Sequence, residues 1–279
     1  MDTKKTKSNQ RRRRSVLYWI VLLLLLGIFI FSLAQIVHYF HQMHNSQAEQ
    51  AQIVDEYVAP VDEPDPEQEP EVKETEEEPE ELPPEPEEIQ VDFARLQAAY
   101  PDVVGYIYCA NTAYQADTGS INFPVVQGSD NSFYLDHGVD GRKNSNGAIF
   151  MDYTAQKDYS DQNTVIYGHR MWSGRMFAPL LQYKMQSFYE AHPYLYLYTP
   201  AQDYRLEVLA GCNVESVDAV YRSKLSTEKV QELMQRSGIR SHIRELPENA
   251  QYVTLSTCDK NSSYQDPRFI VLCLLTPIS

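Results

Sequence analysis

One of the four cysteines in this 279-residue chain lies where nucleophilic chemistry would need it. Cys258 closes the stretch T-L-S-T-C at Thr254–Cys258, in which Val253, Leu255 and Thr257 alternate with Thr254 and Ser256 at the period of a strand. Ten residues on, Arg268 opens a continuous apolar run, Phe269–Leu275, rich in β-forming residues. The intervening Asp259–Pro267 is polar and carries a proline, so it reads as a loop. An antiparallel return across that loop brings the Arg268 guanidinium back toward Cys258. A cation beside a thiol favours thiolate, and a fork of N–H donors also suits a developing oxyanion.

Such a nucleophile needs a proton carrier, and Y-G-H-R at Tyr167–Arg170 supplies one. Thr164–Tyr167 reads as a short buried strand that Gly168 ends, leaving His169 at a strand terminus, where functional side chains commonly emerge. Arg170 and Arg175 compete with Arg268 as oxyanion partner. Arg268 is favoured because it alone returns across a hairpin from Cys258. The order is also informative: papain-like enzymes place Cys before His, and this chain does the reverse.

Taken together, these elements resemble a class B sortase, a membrane-anchored cysteine transpeptidase of Gram-positive bacteria. The match rests on T-L-S-T-C, the later Arg268 and the upstream Y-G-H. It extends to N-F-P-V-V-Q-G-S-D-N-S-F-Y-L at Asn122–Leu135, leading into G-A-I-F-M-D-Y at Gly147–Tyr153. It covers roughly residues 92–279, and four elements in order are far more specific than one five-letter match. The resemblance implies a mainly β fold, an eight-stranded barrel with peripheral helices and a helix before the nucleophile strand.

It also implies the chemistry. Cys258 would attack a carbonyl in the C-terminal sorting signal of a secreted protein, His169 would carry the proton, and Arg268 would stabilise the oxyanion. The acyl-enzyme would pass to an amine of the peptidoglycan cross-bridge or to a pilin lysine. Asn131 and Leu135 match positions lining the sorting-signal groove, and Ser256 one beside the nucleophile. Leu135 also suits ordinary core packing, and Asn131 an ordinary turn. No acidic residue is evident to hold His169, and no cofactor or metal is implied. A thiolate–imidazolium pair is a minor species near neutral pH, so a bell-shaped rate profile is expected.

Charge is distributed in blocks. Residues 1–48 carry seven Lys or Arg against Asp2, and residues 49–90 hold eighteen Asp or Glu against Lys73. These stretches contribute +6 and −17 to the total of −15, leaving −4 for residues 91–279 and no support for nucleic-acid binding. Val16–Ala34 is uncharged and long enough to span a bilayer. Lys4, Lys5, Lys7 and Arg11–Arg14 precede it, which puts the N-terminus in the cytoplasm and the remainder outside the cell membrane. The run exceeds a usual signal-peptide core, so an uncleaved anchor is expected.

The expected organisation is a basic cytoplasmic stretch over 1–15, an anchor and juxtamembrane segment over 16–40, an acidic linker over 41–91 and a catalytic domain over 92–279. Glu49–Glu88, rich in Pro and Glu, predicts a disordered, extended spacer with a reach on the order of 100 Å. Phe93, Leu96 and Tyr100 predict a helix stopped by Pro101. Strands are expected at Ile121–Val126, Ala148–Asp152, Thr164–Tyr167, Tyr194–Tyr198, Arg205–Asn213, Val253–Thr257 and Phe269–Leu275. A helix is expected over Thr227–Ser237, capped by Ser226. Met171–Met176, close to His169, suggests a groove rim.

Other features read as structural. Cys109, Cys212 and Cys273 lie in apolar contexts and are expected in the core. If Cys258 stays free, at most one disulfide can form. His38, His41 and His44 recur every three residues after the anchor and read as interfacial. His137, His192 and His242 lie in no motif. Pilin polymerisation, simple hydrolysis by a cysteine peptidase and a silent wall-binding module remain alternatives to wall attachment. Acceptor choice depends on groove shape.

Overall fold

Without a helix breaker before Pro60, the N-terminal sequence forms one helix, α1 (Thr3–Tyr57). The computed structural model describes residues 3–60, 89–110, 112, 121–171, 173–258 and 266–278. Within α1, Tyr18–His38 is an exposed apolar run of 21 residues, about 31 Å at 1.5 Å per residue, enough to cross a bilayer. It lies slightly C-terminal to the expected Val16–Ala34.

The chain divides into two compact units, Met1–Ala48 and Glu49–Ser279. The last turns of α1 belong to the second unit. The expected linker over 41–91 is therefore corrected at its start: residues 41–57 continue the helix. Ile53 and Tyr57, one turn apart, make an apolar stripe that is buried against the domain. β1 (Val58–Pro60) then pairs antiparallel with β2 (Ile89–Val91). The rest of the expected spacer, 61–88, lies outside the described residues.

After α2 (Phe93–Ala99), whose first turn is capped by Asp92, come β3 (Val103–Cys109), β4 (Ile121–Val126), β5 (Ile149–Met151) and β6 (Asn163–Tyr167). α3 (Gln186–Ala191), β7 (Tyr194–Tyr198), β8 (Tyr204–Glu215), α4 (Thr227–Arg236), β9 (Tyr252–Cys258) and β10 (Pro267–Pro277) complete the chain. The strands close into a barrel in the order β10-β8-β7-β3-β4-β5-β6-β9. β4–β5 and β6–β9 are parallel, and the other pairings are antiparallel. The eight-stranded barrel with peripheral helices is thus present.

Period-two alternation divides β9 and β10 between two layers. Val253, Leu255, Phe269 and Val271 fill the barrel interior, whereas Tyr252, Ile270 and Leu272 face an outer layer. α4 closes that layer with Val230 and Leu233, each fully buried, and its start is capped by Ser226 as expected. Burying each such side chain contributes about 1.5–3 kcal/mol.

β3 was not anticipated. All seven of its residues are buried, so the alternation that marks a half-exposed strand is missing. Its inner side joins the barrel core through Ile107, and its outer side joins a tyrosine-rich layer with Tyr106 and Tyr108. Pro101 ahead of it and Gly105 within it make the segment look like a turn region.

Candidate active site

β9 delivers Cys258 at its C-terminal end, and β10 begins beside it. The antiparallel register sets Arg268 opposite Cys258 and Phe269 opposite Thr257. Directly opposed residues share a face, with Cβ atoms about 4.5–5.5 Å apart. The face is the outer one, since Arg268 alternates in step with Ile270 and Leu272. Cys258 is partly exposed, whereas Cys109, Cys212 and Cys273 are buried, as expected for core thiols. Burial pushes Cys212 up to about 11 and Cys109 up to about 12, which keeps them protonated.

His169 arrives from the other side of β9. β6 runs parallel to β9 with Tyr167 level with Ser256, so two residues further on His169 comes level with Cys258. Gly168 N–H donates to the Ser256 carbonyl at 3.1 Å, extending the ladder past the strand end. Three adjacent strands therefore present His169, Cys258 and Arg268 in a row, with the thiol in the middle. Gly168 is required here, since a Cβ would lie 2.6 Å from the Phe177 ring.

The His169 ring is held by a backbone group. Nε2 lies 2.7 Å from the Leu135 carbonyl. A carbonyl only accepts, so Nε2 carries the proton and Nδ1 is the nitrogen left for exchange. Gly147 packs behind this contact at φ +61°, where a Cβ would come within 2.5 Å of the Tyr134 carbonyl and 3.0 Å of the His169 ring.

Arg268 is oriented by Asp266, whose carboxylate accepts from Nη1 at 2.5 Å. Burial works against the guanidinium charge. The Asp266 hydrogen bond and the nearby Cys258 outweigh it, holding Arg268 charged above its ordinary range. Asp266 is tied in turn to Ser216 through its carbonyl, which accepts from Ser216 N–H at 3.2 Å.

A cleft of about 280 Å³ joins these groups. The three expected catalytic residues, His169, Cys258 and Arg268, and the three expected substrate contacts, Asn131, Leu135 and Ser256, all line it. Ser256 is buried, with its hydroxyl 2.9 Å from Tyr221 Oη. Leu135 is 44% exposed, so its side chain is available at the cleft rather than spent in the core.

Asp152, which is not among the expected site residues, organises one wall. Its Oδ2 accepts from Asn131 Nδ2 at 2.8 Å and from Tyr167 Oη at 3.1 Å. Burial opposes its charge, but hydrogen bonds from Thr154, Asn131 and Tyr167 prevail and hold it below the ordinary carboxylate value. Asn131 Oδ1 also accepts from Tyr153 N–H at 3.0 Å, so the amide is locked in one orientation. Tyr167 stacks on Tyr221 at 6.1 Å between centroids, and Thr257 adds a buried hydroxyl with no hydrogen-bond partner among the described residues. Tyr167 is the first residue of the Y-G-H motif and Asp152 ends I-F-M-D, so both had a local signal. Tyr221, at the end of a single 3₁₀ turn (Ala219–Tyr221) more than thirty residues before Cys258, had none.

Of the competing arginines, Arg175 donates to Gln50 Oε1, and the Arg170 backbone pairs with Met176 in an isolated bridge. Among the described residues, neither they nor the expected rim residues 171 and 173–176 line the cleft. Among the described residues, no group of three or more His, Cys, Asp or Glu is arranged to hold a metal ion.

Comparison with known proteins matches residues 116–276 to the family model for the sortase domain. Sortase B of Listeria monocytogenes is 29% identical over 189 residues, covering 66% of this chain and 74% of that protein. A Staphylococcus aureus sortase B–substrate complex superposes with a TM-score of 0.58 at 29% identity, over 67% of this chain and 85% of that one. A sortase B complexed with triglycine superposes equally, with a TM-score of 0.58 at 28% identity, over 67% of this chain and 86% of that one.

Proposed function

Since this chain belongs to the sortase family, in its class B, we propose that it cleaves a C-terminal sorting signal of secreted proteins and transfers the acyl group to a cell-wall amine. The observation that carries the reading is the row of His169, Cys258 and Arg268 across β6, β9 and β10, opening on one cleft.

In the proposed cycle the Cys258 thiolate attacks the scissile carbonyl carbon, and the resulting oxyanion is held by the Arg268 guanidinium. As the C–N bond breaks, His169 gives its proton to the departing amine, leaving a thioester on Cys258. An incoming amine then attacks the thioester, passes a proton to His169 and displaces the thiolate. Storing the acyl group as a thioester lets the enzyme wait for the acceptor. Asn131, Leu135 and Ser256 bind the sorting signal along the cleft, with Tyr167 and Tyr221 as apolar floor. The triglycine bound by a relative supports a glycine-like amine as acceptor. The apolar stretch of α1 serves as membrane anchor, and the basic residues before it favour a cytoplasmic N-terminus with the catalytic domain outside.

The test incubates the full chain in detergent with a library of sorting-signal peptides, with and without triglycine. Mass spectrometry should trap a peptide thioester on Cys258 and, with triglycine present, a ligated product. Hydrolysed peptide alone, undiverted by triglycine, would overturn the transfer reaction.

A further inference from the structure

We infer that Gln50 and Arg175 are positioning residues for this reaction, tying the foot of α1 to the loop that carries His169. The inference rests on the role proposed above for His169.

That loop is short and closed on itself. Phe177 N–H donates to the His169 carbonyl at 3.1 Å, and Arg170 and Met176 form an antiparallel bridge. Met176, at φ +55°, and Gly174, at φ +79°, fold the return limb tightly. Arg175 thus sits two residues from the pair that contains His169, and displacement of one limb is transmitted to the other.

Arg175 is partly buried, burial depresses its basicity, and none of the described ion pairs includes it. Its guanidinium is instead hydrogen-bonded to Gln50 Oε1. The other end of the same amide, Nε2, donates to the Asn122 carbonyl on β4 at 3.0 Å. Gln50 therefore bridges the barrel wall and the His169 loop. Its own place is fixed by α1, where Ile53 is 1% exposed and the Tyr57 carbonyl accepts from Asp92 N–H at 2.9 Å. A glutamine is suited to this, since it both accepts from the cation and donates to the strand. Without the acceptor, a partly desolvated guanidinium would turn toward water and draw the loop base with it. His169 would then lose its fixed approach to the Leu135 carbonyl.

The test uses the full chain in detergent micelles, with two readouts independent of substrate identity. One is the pH profile of Cys258 alkylation by iodoacetamide, followed by mass spectrometry; the other is amide hydrogen exchange over residues 166–178. Gln50→Ala and Arg175→Ala should raise exchange in that segment several-fold and move the alkylation profile toward that of His169→Ala. Gln50→Glu, which keeps the acceptor for Arg175 but loses the donor to Asn122, should fall between wild type and Gln50→Ala in both. Arg95→Ala, which removes a different contact of the same helix foot, should leave both unchanged. Wild-type behaviour of Gln50→Ala while His169→Ala shifts the profile overturns this inference alone. An unshifted profile in His169→Ala itself removes the proposed role of His169, and the inference falls with it.

Discussion

Cys258 and Arg268 are Cα partners in an antiparallel ladder, at the point where β9 ends and β10 begins. The backbone, rather than a flexible contact, sets their spacing, and Asp266 fixes the direction of the guanidinium. Removing the charge at this site is therefore expected to act on turnover more than on folding. Arg268→Ala should lower kcat/KM by about 10²–10³-fold, as loss of an oxyanion donor does. Arg268→Lys should recover little, because a point charge lacks the fork. Steady-state assays with a trapped sorting peptide measure both.

His169 emerges level with Cys258 across the parallel β6–β9 pair. His169→Ala is expected to cost about 10²–10⁴-fold in kcat/KM. The wild-type kcat/KM should rise and then fall with pH, as a mechanism that needs both a thiolate and a proton donor requires. A rate flat from acid to strongly alkaline pH would argue against the paired mechanism.

Gly147 has a left-handed backbone, and its missing Cβ makes room for the Tyr134 and Leu135 carbonyls and the His169 ring. Gly147→Ala should destabilise the fold by about 1–3 kcal/mol and also reduce turnover. Denaturant midpoints and peptide cleavage, measured on one preparation, test whether the two losses occur together.

Asp152 is held below the ordinary carboxylate value of 3.8, so its ionised form favours the folded state. Its contribution is complete above that value and is lost as pH falls through the lower folded value. Asp152→Asn should flatten this acid dependence in melts between about pH 5 and pH 2, and should raise KM more than it lowers kcat because an amide supplies one acceptor oxygen where the carboxylate supplies two, one for Thr154 and one shared by Asn131 and Tyr167.

Three of the four cysteines are buried, and burial raises Cys212 to about 11 and Cys109 to about 12. Native protein at pH 8 should take up iodoacetamide at Cys258 alone, and at all four sites after unfolding in guanidinium. Rapid labelling of Cys212 in the folded protein would contradict this packing.

Much of the fold was legible locally. Tyr194–Tyr198 and Ile121–Val126 form the strands their alternation and β-rich composition indicate, and Ser226 caps α4. β3 was hidden because burial on both sides erases alternation. The foot of α1 was hidden because Ile53 and Tyr57 stand among acidic residues, and only a docking surface distant in sequence gives their spacing a purpose.

The candidate site divides in the same way. Residue types and short-range spacing determined the thiol, the imidazole, the guanidinium and the hairpin that pairs two of them. Those depend on strand period and loop length, which neighbouring residues specify. The parallel β6–β9 register, the Leu135 carbonyl on His169, the Asp152 anchor for Asn131 and the Gln50–Arg175 tie were decided only by tertiary structure. Each joins segments between 21 and 125 residues apart, and barrel closure, not local propensity, brings such segments together.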